Sequence, residues 1–249
     1  MYAIKNSLLM IKNIMPLFVA FVLCSCGNAS SKYSDGCDSD SVAFCDESGE
    51  LNVNFDYKHP DAQMSELFGN VKSMILTKYL SVGPDGEIIG SGDSYVDRKL
   101  YFKRDGEFDL ANEDFEWGNP RFQRNSEGQI TKVTRYIEDF DCDIYEAYEY
   151  DELGMVKKCE GDGIESNHTV TFKYDDNTNL ISAHLVSTGE GMICDSKITY
   201  TILKTDDRQN WTRRIVKNDE KSGEVDGPDG YTETNTYYEL ETREIEYYE

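Results

Sequence analysis

Tyr148-Glu149-Tyr150-Asp151-Glu152-Leu153-Gly154-Met155-Val156 decides the reading of the fold. An aromatic-rich stretch runs into Asp151, whose side chain suits the start of a turn. Gly154 then supplies the positive φ that closes one, and strand formers resume. The same order of residue types recurs in Phe122-Gln123-Arg124-Asn125-Ser126-Glu127-Gly128-Gln129-Ile130 and in Phe172-Lys173-Tyr174-Asp175-Asp176-Asn177-Thr178-Asn179-Leu180. A shorter version is Tyr101-Phe102-Lys103-Arg104-Asp105-Gly106-Glu107-Phe108, and Thr205-Asp206-Asp207-Arg208-Gln209-Asn210-Trp211 is a worn one. Asp105, Asn125, Asp151 and Asp175 open these turns. Gly106, Gly128, Gly154, Asn179 and Asn210 are the expected closing positions, with one extra residue in the Asp175 copy. Each interval between them holds two strands and two turns, one hairpin step.

The fold class that follows is all-β: a long antiparallel meander of repeated hairpins. A twisted sheet of about ten strands curls or splits, so a barrel-like or two-layered sheet is expected. A Greek-key sandwich is the alternative.

The units resemble those of the YD-repeat (Rhs-like) family, marked by Tyr-Asp, a turn Gly and an alternating strand. Tyr150-Asp151-Glu152-Leu153-Gly154 carries the resemblance, with Tyr174-Asp175 in part. Asn210-Trp211-Thr212-Arg213-Arg214 and Thr242-Arg243-Glu244-Ile245-Glu246-Tyr247-Tyr248-Glu249 are similar to segments of small Bacteroidetes-type lipoproteins carrying such repeats. The likeness covers residues 70–249. It departs from the family in its irregular spacing and in copies without the Tyr-Asp pair. Large members wrap a shell around a toxin, and this chain is too short to enclose one.

The N-terminus reads as an address. Lys5 and Lys12 precede the apolar run Ile14-Met15-Pro16-Leu17-Phe18-Val19-Ala20-Phe21-Val22-Leu23, which is short of the roughly 20 residues that span a bilayer. Leu23-Cys24-Ser25-Cys26 resembles a bacterial lipobox. The resemblance implies diacylglyceryl transfer to the Cys26 thiol, cleavage before it, and acylation of the new amine with a fatty acid such as palmitate. Cys24 fits worse, because bulky Leu23 would then take the small-residue slot. Several acyl chains on one cysteine anchor stably where one would not. The expected organisation is therefore a lipoprotein signal peptide (1–25), a flexible acidic tether (26–60) and a β-rich repeat domain (61–249). The address implied by the lipoprotein resemblance is the cell envelope, with the outer membrane as the expected membrane and its periplasmic or surface face left open.

Net charge is −23, and loss of the signal removes two lysines and no acid. Such a surface repels nucleic acid, so none is expected as a partner. The membrane is met through the lipid, and a glycan or an envelope protein is the expected ligand class. Tyr148, Tyr150 and Tyr174 are candidates for an exposed aromatic platform. Cofactors and metals are not expected: close Cys or His pairs are lacking, and Asp175–Asn179 misses the Gly and Glu of a Ca²⁺ loop. No nucleophile elbow or phosphate loop is present. A Cys159/His168 nucleophile pair can be imagined, though a satisfied or exposed histidine is the preferred reading, and hairpin counting sets Cys159 across from Glu146 and Cys194 near Val186, so Cys142, Cys159 and Cys194 read as small buried hydrophobes or free thiols. A Cys37–Cys45 bridge stays open. The function expected is non-enzymatic binding or scaffolding on a lipid-anchored domain. The alternatives are a hydrolase of envelope or dietary polymers and partner capture by an edge strand.

Overall fold

Asp151 builds its turn twice over. Its carboxylate accepts the N–H groups of Leu153 and Met155, both at 2.9 Å, while its own N–H reaches Met155 O and Gly154 N–H returns to Asp151 O. Asn125, Asp175 and Asp206 repeat the pattern on the N–H groups two and four residues on. The left-handed position three residues after each opener is Gly128 (φ +82°), Gly154 (+78°), Thr178 (+58°) and Gln209 (+67°). This corrects the reading of Asn179 and Asn210. They lie one residue beyond the left-handed position, and the Asp175 copy carries no extra residue. Asp105 also moves: its turn opens at Lys103, closes at Gly106, and uses Asp105 to hold Glu107 N–H. Gly83–Glu87 folds the same way, with Gly86 at φ +80° and Asp85 holding Glu87 N–H.

The computed structural model describes residues 57–90, 92–112, 120–224 and 230–249. The signal, Cys26, and Cys37 and Cys45 lie outside these residues. A short helix, α1 (Pro60–Met64), comes first, followed by β1 (Val71–Tyr79), β2 (Ser94–Tyr101), β3 (Arg121–Arg124), β4 (Ile130–Ile137) and β5 (Cys142–Tyr150). Then come β6 (Val156–Gly163), β7 (Ser166–Tyr174), β8 (Leu180–Gly189), β9 (Met192–Thr205), β10 (Trp211–Glu224) and β11 (Glu233–Tyr247). All eleven form one antiparallel sheet in the order β2-β1-β11-β10-β9-β8-β7-β6-β5-β4-β3. It is a meander from β3 to β11, with the β1–β2 hairpin joined to β11. The sheet is neither closed into a barrel nor split into two layers. Its edges β2 and β3 are linked in sequence and drawn together by the ring sequence Phe102–Phe108–Phe122, with centroids 5.3 and 6.2 Å apart.

Segment 57–70 plugs the end where the repeat turns gather. His59 packs beside Gly106 and Pro60 beside Gly128. Gln63 donates to Leu153 O, Tyr57 shares a hydrogen bond with Thr178, and Asn210 holds both the N–H and C=O of Phe68. Two buried carboxylates lock the plug. Asp61 takes a fork from Arg124 on β3, at 2.6 and 2.9 Å, and the N–H of Phe108. Glu66, itself left-handed at φ +53°, accepts from Leu180 N–H, Trp211 Nε1, Arg214 and Arg243. Tyr57 is thus already part of the folded body.

The proposed aromatic platform does not form. Tyr148 is 4% exposed, and Tyr150 and Tyr174 pack half-buried against the same core. The even positions of β5 and β7 face inward, which puts these rings inside. Their hydroxyls work as staples between units: Tyr150 donates to Ile130 O and Tyr174 to Val156 O, the carbonyl two residues after the preceding left-handed Gly in each case. The cysteine registers also shift. Bulges beside the turns set Cys159 opposite Tyr148, and the tight Glu190–Gly191 turn sets Cys194 opposite Ser187. Cys142, Cys159 and Cys194 are free thiols.

Candidate functional site

Inside the curl, chemistry changes along the strands. Near the plug the interior is apolar, built on Met64, Leu67, Phe102, Phe108, Ile130 and Val156. Further along it is ionic. On β11 the inward positions are Glu239, Glu241 and Arg243, while Leu240 faces the outer cluster of Val82 and Ile215. Lys78, 1% exposed, lies 3.4 Å from Asp97 and 3.6 Å from Glu241. Arg214 bonds Glu241 at 2.7 Å and stacks on Trp211 and Tyr200. Lys78, Tyr200, Arg214 and Glu241 line a small cavity of about 30 Å³ together with Glu66, Arg98 and Arg243, space for one or two waters.

Burial and pairing tune these charges in opposite directions. Burial opposes ionisation of Glu241, but Arg214 and Lys78 outweigh it and hold the carboxyl down at about 2. Burial pulls Arg243 down to about 9 against the attraction of Glu66. Glu239 has no such pair: burial lifts it to about 7, with Lys78 only partly offsetting. On β5, burial lifts Glu146 to about 7, although Tyr148 donates to it.

Several buried polar atoms here lack a hydrogen-bond partner among the described residues. They are Glu146 Oε1, Glu239 Oε2, Asn218 Oδ1 and His168 Nε2. Left dry, each costs about 1–3 kcal/mol. His168 lies on the backbone of Gly161, where a Cβ would stand 1.8 Å from its Cε1. Burial pushes its pKa down to about 4 and pushes the Cys159 thiol up. A raised thiol pKa is the reverse of an activated nucleophile. His184 sits elsewhere, bonded to Asp195 at 2.9 Å. No group of three or more His, Cys, Asp or Glu able to hold a metal is found among the described residues.

The sheet also presents a free edge at this end. β1 stops at Tyr79, paired with Leu240, whereas β11 extends back to Glu233. Among the described residues, Glu233 to Glu239 therefore hydrogen-bond to a strand on the β10 side only. Glu233, Thr234, Asn235 and Thr236 are exposed, Tyr237 and Tyr238 half-buried, and Glu239 buried. Asn218 donates to Tyr237, and Thr236 to Asp219.

The sequence-predicted turn residues thus surround the plug rather than a ligand site. Glu239, Glu146, Lys78 and the β11 edge escaped the sequence reading. The signal was Glu239-Leu240-Glu241-Thr242-Arg243, whose alternation invites the opposite assignment, apolar inward. No protein-family model matches the chain, and comparison with curated proteins finds no significant relative.

Proposed function

We propose that the chain is a lipid-anchored protein of the bacterial envelope whose β-domain binds a partner without chemistry of its own. The lipobox-like Leu23–Cys26 supports the anchor. The observation that carries the binding reading is the incomplete sheet: at the end remote from the plug, β11 runs on past β1 beside an acid-rich interior. The tether enters at Tyr57, on the plug side. At about 3.3 Å per residue, the fourteen steps of β11 hold Glu233 tens of ångströms from there. Anchoring thus presents the free edge away from the bilayer.

Full-length protein bearing an affinity tag is the test, used against solubilised envelope extract and a glycan panel. Reproducible enrichment of a protein or glycan is expected. Enrichment of nothing over a tag-only control, or turnover of an envelope polymer, would overturn the reading.

A further inference from the structure

We infer that residues Glu233–Glu239 of β11 are a docking edge for an extended, basic polypeptide segment, which adds as a strand in line with β1. The inference rests on the binding reading above and names its partner class.

Three observations carry it. The first is geometric. Among the described residues, loss of β1 beyond Tyr79 leaves one side of β11 without a strand over seven residues, about the length of an ordinary strand. An unpaired edge is a template for strand addition.

The second is the lack of the usual protection. Edges are commonly blunted by lysines, prolines, bulges or shortness. The β2 edge carries Arg98 and Lys99 and a register shift at Leu76/Thr77, and β3 has four residues with Arg121 and Arg124. Glu233-Thr234-Asn235-Thr236-Tyr237-Tyr238-Glu239 has no lysine or proline, and its pairing with β10 runs without a shift.

The third is charge. Glu233 and Glu239 bracket the edge, and Glu220 stands opposite Asn235. Lys217 is engaged by Asp219 at 2.7 Å. Among the described residues one buried oxygen of Glu239 has no partner, while the nearby Lys78 is divided between Asp97 and Glu241. A lysine or arginine on the incoming strand answers that excess, whereas a second copy of this chain would oppose acid to acid.

The test uses full-length protein in detergent micelles and a fluorescent peptide of about seven residues, matched to a typical strand, alternating Lys with Thr or Val. Binding is expected, with amide exchange slowed across Glu233–Glu239. A Glu-for-Lys version should bind at least tenfold more weakly. N-methylation of alternate peptide amides, in the two possible phases, should abolish binding in one phase and spare it in the other. Glu239→Gln should weaken the Lys peptide several-fold and flatten its salt dependence, with a thermal midpoint no lower than the parent's. Equal binding by both N-methyl phases, protection at β2 instead of β11, no effect of peptide charge, or self-association that excludes the peptide would each overturn the inference. Failure of the peptide while an envelope ligand is still enriched would sink this edge alone and leave the binding reading standing.

Discussion

Gly161 has a side-chain reason to be glycine: the His168 ring occupies the place of a Cβ. Gly161→Ala should destabilise the domain by about 1–3 kcal/mol through overpacking, and a second change, His168→Ala, should restore part of the loss. A denaturant titration of both variants checks this. Glu146 gives a pH signature. Its folded pKa, about 7, lies above the ordinary 4.5, so the folded state holds the proton more tightly. Its stabilising contribution is whole below pH 4.5 and is lost as pH rises toward 7. Glu146→Gln should therefore become more stable relative to the parent across that window, by a few kcal/mol at most, as measured by melting at each pH. His168 works the other way. Its pKa falls from 6.5 to about 4, so its contribution is present above pH 6.5 and is lost as pH falls through 4.

The turns were legible because their chemistry is local. Asp151 and Gly154 act within five residues, so residue type alone announces the hairpin. Thr178 and Gln209 were not legible, since neither favours positive φ and each is held there by the bonds of Asp175 and Asp206. Thr178→Gly relieves left-handed strain of about 1 kcal/mol, and in a Tyr57→Phe background, where the bond between the two side chains is already gone, it should raise the melting temperature. Tyr174→Phe should cost about 0.5–1.5 kcal/mol by orphaning Val156 O. The tyrosines were misread because a strand pattern gives two faces and does not say which is inside. The same ambiguity hid Glu239, Glu241 and Arg243, whose inward position is set by partners on β1, β10 and the plug, all distant in sequence. Once the turns are placed, the register still slips: Tyr150 meets Val156 rather than Met155, and the bulge at Glu149/Tyr150 adds one residue more. That moved Cys159 from Glu146 to Tyr148.

At the scale of the molecule, the plug is the keystone. Glu66 ties β8, β10 and β11 together and Asp61 ties β3 to the segment after β2, so the curl depends on two carboxylates. Glu66→Ala would strip Arg243 of its paired carboxylate and leave it facing Arg214 over Trp211, with Glu241 as the remaining acid between them. A loss of about 3–5 kcal/mol follows, enough to threaten a domain of ordinary stability; chemical denaturation would measure it. Fractionation with palmitate labelling addresses the anchor: Cys26→Ala should lose the label and leave the membrane fraction.

The sheet order places β1 directly against β11, so the first strand waits for the last. Residues near 75 find their neighbours only when residues near 244 exist. A ribosome-bound chain can zip hairpins one by one, but it cannot seat the first strand against its partner or give Lys78 its second acid, Glu241. Such long-range closure slows folding. Under the export proposed above, that order would keep the chain open until its final segment has crossed.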